Sequence, residues 1–104
     1  MTDQELLELA AKAMGFAQHH SYREKLNALL WLSDSGYPST WSPLTDDKDA
    51  FQLAVDMKMI IDPYSGVVGI PPSTVIATVN NGDIYAATRR AIVQVAAEIG
   101  KEHE

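Results

Sequence analysis

The sequence predicts an α+β fold, a small antiparallel sheet covered on one face by about three helices. Three observations lead there. Apolar residues recur at helical spacing near each end of the chain and once in the middle. Between those segments lie short runs rich in β-branched and aromatic residues, bounded by Gly, Pro, Asn and Asp. The resulting order, α-β-β-α-β-β-β-α, contains neither an internal repeat nor a linker and suits a layer of helices on a sheet. At 104 residues, the span 1–104 reads as one domain.

The first helix is expected over about residues 3–14. Thr2 and Glu5 have the spacing of a capping box. Leu6, Leu9, Ala10, Ala13 and Met14 make its apolar stripe, and Gly15 can take the left-handed position that ends it. Phe16 to Leu26 shows no period and reads as either a loop or a short strand. Asn27 to Leu32 is strand-like. Ser33-Asp34-Ser35-Gly36 has the composition of a turn, and Tyr37 to Trp41 returns as the second arm of a hairpin. Pro38 lacks an N–H and therefore places that arm at a sheet edge.

After Pro43 the pattern becomes helical, with Thr45 or Asp46 as cap and Asp46, Asp47 and Asp49 crowding the positive end of the helix dipole. Ala50, Leu53, Ala54 and Met57 form the expected buried stripe with Phe51 beside it, and the helix should reach about Lys58. Met59 to Asp62, Val67 to Ile70 and Thr74 to Val79 read as strands, separated by Tyr64-Ser65-Gly66 and by Pro71-Pro72. Asn80-Asn81-Gly82-Asp83 closes the last strand, with Asp83 placed to cap a final helix over about 84–101. In that helix Tyr85, Ala91, Ile92, Val95, Ala96 and Ile99 are expected to face inward, with Arg90, Gln94 and Lys101 facing out and Gly100 starting to fray.

Composition narrows the function classes. Apolar residues make up 46% of the chain, enough for a globular core. There is no cysteine, so disulfides and thiolate metal sites are excluded. The acidic start, Met1-Thr2-Asp3-Gln4-Glu5, is unlike a signal peptide, and no apolar run nears the ~20 residues of a membrane span. A soluble cytoplasmic protein with no membrane partner is expected. Eight basic residues against fourteen acidic ones give a net charge of −6, which disfavours direct binding to nucleic acid. The acidity is concentrated from Asp34 to Asp62, where only Lys48 and Lys58 oppose it, while Arg89-Arg90 is the one compact basic pair.

Few residues suggest chemistry. His19-His20 lacks a third ligand, and adjacent imidazoles rarely reach one ion. Thr45 to Asp49 lacks the alternating ligands, glycine and distal glutamate of a calcium loop. Neither pattern requires a metal or cofactor. No nucleophile motif, metalloprotease motif or phosphate-binding glycine loop occurs, so no catalytic residue is assigned. The candidate binding residues are Trp41, Asp46, Asp47, Asp49, Arg89 and Arg90. Each has a bland reading too: hairpin packing for Trp31 and Trp41, helix capping for the aspartates, and salt bridges for the arginines, one of them to Asp49.

The string Trp41-Ser42-Pro43-Leu44-Thr45-Asp46-Asp47-Lys48-Asp49-Ala50, together with residues 1–14 and 85–100, resembles a family of small phage and prophage proteins of unknown function. The NinX-like proteins of lambdoid phages are similar at a greater distance. The likeness covers about half of the chain, and this sequence departs from the family pattern at Ser42, Lys48 and Ile84. It implies an accessory protein of an infected or lysogenic bacterium. Two function classes follow as expectations. One is a protein that binds a host or phage protein through its acidic central surface. The alternative is a small-molecule or nucleotide binder with Arg89 and Arg90 as the anion contact. An edge strand leaves a homodimer open.

Overall fold

Helix α1 spans Asp3–Ala13 and begins as its sequence implies. The Thr2 hydroxyl accepts the Glu5 N–H at 3.1 Å and donates to the Glu5 carboxylate at 3.1 Å. Gly15, at φ 81°, takes the left-handed position just past the helix end. The computed structural model describes residues 2–15, 20–32, 38–70, 74–77 and 82–102. His19, the Ser33 to Gly36 turn, Tyr37, Pro71-Pro72, Thr78-Val79 and Asn80-Asn81 lie outside the described residues, as does the side chain of Trp31.

The α+β class and the antiparallel pairing hold, but among the described residues the strands form two three-stranded sheets instead of one. In the first, β1 (His20–Arg23), β2 (Ala28–Leu32) and β3 (Pro38–Trp41) lie in that order. β1 is the strand that the aperiodic stretch before Leu26 left open, so the order gains one strand over the expectation. It is short and polar, and pairing with β2 rather than its own pattern makes it a strand. The turn between them puts Asn27 at φ 48°, a conformation that asparagine tolerates better than most residues. Tyr22, Leu29 and Trp41 stand opposite one another across this sheet; Leu29 and Trp41 belong to the core and the half-buried Tyr22 packs against it. Pro38 is on an edge strand, as its missing N–H demands.

Helix α2 spans Asp47–Asp56, two residues shorter than expected. Asp46 caps it by accepting the Lys48 N–H at 3.0 Å. Lys58 ends it at φ 57°, with its N–H bonded to the Val55 carbonyl and that of Met59 to the Ala54 carbonyl. This is the paired bonding of a Schellman motif, with lysine where glycine is favoured. Lys58→Gly should therefore stabilise the protein by about 0.5–1 kcal/mol, read as a higher urea midpoint at unchanged slope.

The second sheet holds β4 (Ile60–Asp62), β5 (Val67–Ile70) and β6 (Thr74–Ala77) in that order. Ile61, Val68 and Ile76 pair across one face, where Val68 is fully buried. Helix α3, Ile84–Glu102, packs across β5 and β6 and alongside both other helices. Asp83 caps it by accepting the Tyr85 and Ala86 N–H groups at 3.0 and 3.1 Å. A single core cluster joins Leu6, Leu7, Ala10 and Ala11 of α1, Leu29, Trp41, Leu53, Val68, and the inner face of α3 from Ala91 to Ala97.

Two expectations for α3 are corrected. Tyr85 is 71% exposed and does not join the inward face, because the first turn of α3 lies beyond the buried stretch that starts at Ala91. Gly100 does not fray. It lies buried within α3, and a Cβ there would stand 2.8 Å from the carbonyl carbon of Leu9 and closer still to its oxygen. Glycine at this position permits the close approach of α1 and α3. Asp3 meets Arg90 at one end of this contact and Leu9 meets Gly100 at the other, so the two helices run in the same direction.

Candidate functional site

Helix α2 carries two apolar faces, only one of which is used. Ala50, Leu53 and Ala54 are buried against the core. Phe51 and Val55, four residues apart and on the other side, are 65% and 56% exposed. That corrects the expectation that Phe51 would support the buried stripe. The first turns of α3 stand beside this face and present Ile84, Tyr85, Thr88 and Arg89. Between the two helices runs a groove of 460 Å³, floored by Ala50 and Ile92 and closed at one end by Ile61 and Pro63 of the β4 region. A second hollow of 370 Å³, bordered by Val55, Lys58 and Met59, shares Phe51 and Ile61 with the first. Phe51 is thus a ridge with an apolar depression on either side.

Asp47 and Arg89 form the polar wall of the groove. The Arg89 guanidinium donates to Asp47 Oδ1 at 2.6 Å through Nη1 and to the Leu44 carbonyl at 3.0 Å through Nε. The arginine side chain is 19% exposed and the aspartate 76%. This ion pair joins the start of α2 to α3, and it uses Asp47 where the sequence suggested Asp49. Arg90, adjacent in sequence, is committed elsewhere: its Nη1 donates to Asp3 Oδ1 at 2.9 Å. Of the two arginines, only Arg89 lines the groove.

The remaining candidates hold the chain in shape. Trp41 is 6% exposed and sits in the core. Asp46 is the cap of α2. Asp49 reaches back from the first turn of α2 to accept the Ser42 N–H at 2.9 Å. Ser42 is itself buried, and its hydroxyl donates to the Asn27 carbonyl at 2.7 Å and contacts the Thr45 hydroxyl. Asn27 extends the network, donating to Asp3 Oδ2 at 2.9 Å and accepting from the Tyr22 hydroxyl at 2.8 Å. Desolvation raises the Tyr22 pKa above its ordinary value, and the nearby charge of Asp3 adds to the effect. Among the described residues, no group of three His, Asp or Glu side chains is placed to hold a metal ion. No helix of the described residues is long and apolar enough to cross a membrane.

Burial raises the pKa of Asp49, against the Ser42 N–H bond that lowers it, and the charge of Asp46 raises it further. A carboxyl whose native pKa exceeds its unfolded value favours the fold while protonated, and that contribution is lost as pH rises through the native pKa. Asparagine resembles the protonated form. The stability advantage of Asp49→Asn over the parent should therefore grow as pH rises through the ordinary aspartate range and above it, measured as the difference in thermal midpoint. Asp49→Ala, which leaves the Ser42 N–H without its acceptor, should cost about 1–2 kcal/mol at neutral pH.

Comparisons with family models, curated proteins and solved structures found no match. The site must be judged on its geometry. Sequence reasoning missed the groove because Phe51, Ile61, Ile84 and Tyr85 are apolar residues in elements that also contribute to the core. The available signal was the Phe51–Val55 spacing, which sets a second apolar stripe on α2 off the Ala50–Leu53–Ala54 face.

Proposed function

We propose that this protein acts by binding another protein, with the groove between α2 and α3 as the docking surface. The observation that carries the reading is the exposure of Phe51 at 65% and Tyr85 at 71% around one apolar concavity. Solvent-exposed aromatics beside a concave apolar patch are the usual anchors of protein contacts, and a handful of such residues supplies most of the binding energy. The acidic central segment contributes Asp47 to the wall, so the expected acidic surface and the groove adjoin. The resemblance to small phage and prophage proteins supports a host or phage protein as partner and an accessory role in the bacterial cytoplasm.

Because Phe51 and Tyr85 are largely exposed, Phe51→Ser and Tyr85→Ser should change stability by no more than about 0.5 kcal/mol. Each should weaken a partner that wild-type protein retains stoichiometrically by about tenfold or more, checked by titration with the purified partner. Unchanged affinity in both variants would remove the groove from the interface. A second reading seats a small anionic ligand in the groove, whose 460 Å³ falls in the usual range for such sites of about 300–1,000 Å³, and requires Arg89 to exchange Asp47 for the ligand. A nucleotide and carboxylate panel read by thermal shift separates the two, since only this second reading requires a compound to raise the melting temperature.

A further inference from the structure

We infer, resting on the protein-docking reading above, that the groove of the free protein is filled by a second copy of this chain in a two-fold dimer. Shape argues for self-association. A two-fold contact needs a patch that complements itself, and here a knob and its holes lie side by side. Phe51 stands as a ridge between hollows of 460 Å³ and 370 Å³ and borders both. A two-fold axis passing between the ridge and the larger hollow seats each Phe51 in the groove of the other copy, over Ala50 and Ile92. Tyr85, exposed at the rim of the same groove, then has the incoming ring as its neighbour. Pairing of edge strands is the competing route, but β1, β3, β4 and β6 have only three or four residues each and offer few main-chain bonds.

Charge and area set the strength of this contact. Asp47 and Arg89, the charged residues that line the groove, already neutralise each other at 2.6 Å, so closing the groove leaves no charge unpaired. With no net field at the groove, apolar shape decides what fits. Covering the exposed parts of Phe51, Val55, Ile61, Ile84 and Tyr85 removes roughly 500 Å² of apolar surface per copy, or about 1,000 Å² for the pair, the lower limit of a specific interface. The dimer is therefore weak, with a Kd on the order of 100 μM. The −6 charge of each copy opposes approach from a distance, so salt tightens the dimer. At the few micromolar of a denaturation experiment the chain is monomeric and Phe51 stays in water. A foreign partner that docks in the groove displaces the second copy, which makes the dimer the resting form of the docking surface.

The test is analytical ultracentrifugation of the whole protein from ~10 μM to ~1 mM, in ~20 mM and ~300 mM salt, with two variants. The parent should pass from monomer to dimer across this range, with a Kd about threefold to tenfold tighter at the higher salt. Phe51→Ser should weaken the dimer about thirtyfold, the loss expected for an aromatic anchor, and stay largely monomeric at ~1 mM. Val75 is also about half exposed but lies on the opposite face of the second sheet from Ile61, so Val75→Ser should dimerise as the parent does. A parent monomeric at ~1 mM in both salts, a dimer that Phe51→Ser leaves intact, or equal loss in Val75→Ser would overturn the inference. So would a dimer that salt loosens, or growth beyond a dimer. A monomeric parent whose purified partner is lost on Phe51→Ser ends the dimer and leaves the docking reading standing. A monomeric parent whose partner ignores both Phe51→Ser and Tyr85→Ser ends both.

Discussion

Gly100→Ala is expected to destabilise the protein by about 3 kcal/mol, lowering the thermal midpoint by roughly 12 °C or more. The sign is what makes this informative. Within an exposed helix the same change gains about 1 kcal/mol, because alanine restricts the unfolded chain and favours helix. Here the added methyl meets the carbonyl of Leu9, and backbone yields less readily than the tip of a side chain. The last turn of α3 cannot simply swing aside, since Ala96 and Ala97, just before it, are fully buried against the core. Relief must come from separating α1 and α3, which opens the contact lined by Leu6, Leu7 and Ala10. A stabilised Gly100→Ala protein would show that the two helices do not approach so closely.

Leu53→Ala is expected to cost about 2–5 kcal/mol, the range for removing a fully buried leucine and leaving a cavity. Leu53 has no exposed surface and lies on the face of α2 that packs into the core. Phe51, two residues earlier, is the larger side chain, yet Phe51→Ala should cost no more than about 0.5 kcal/mol because that ring is mostly in water. Urea denaturation of the two variants side by side tests the orientation of α2 directly. If Phe51→Ala proves the more costly, α2 is rotated and the groove as described does not exist. Leu53→Ala also loosens one wall of the groove, so it should weaken binding through the helix's position, whereas Phe51→Ser acts on the contact itself.

Much of the fold was legible wherever structure is decided locally. Thr2, Gly15, Asp46 and Asp83 mark helix ends through hydrogen bonds or backbone conformations that each residue makes within a few positions. Pro38 pointed to a sheet edge for a similar reason. What was not legible depends on partners distant in the chain. β1 has no apolar alternation and is a strand because β2 pairs with it. The division into two sheets is a matter of which strands pair, and no single strand encodes its partner. Lys58 ends α2 in a conformation that composition would assign to glycine.

The site was less legible than the fold. The aspartates and arginines drew attention because they are charged and clustered, yet Asp46, Asp49 and Arg90 hold the molecule together, and only Asp47 and Arg89 reach the groove. The residues that shape the groove are ordinary apolar ones. Whether such a residue faces core or solvent depends on how its helix is rotated against neighbours that are remote in sequence.

The most direct test of the docking surface is amide chemical-shift mapping of the isotopically labelled protein, titrated with a tightly bound partner. Perturbations should concentrate on residues 50–55, on Ile61, and on the first turns of α3 from Ile84 to Arg89. Shifts confined to Glu5, Glu8 and Lys12 of α1, or to the Asp3–Tyr22–Asn27 network, with Phe51 and Tyr85 unmoved, would place binding elsewhere and contradict the proposal.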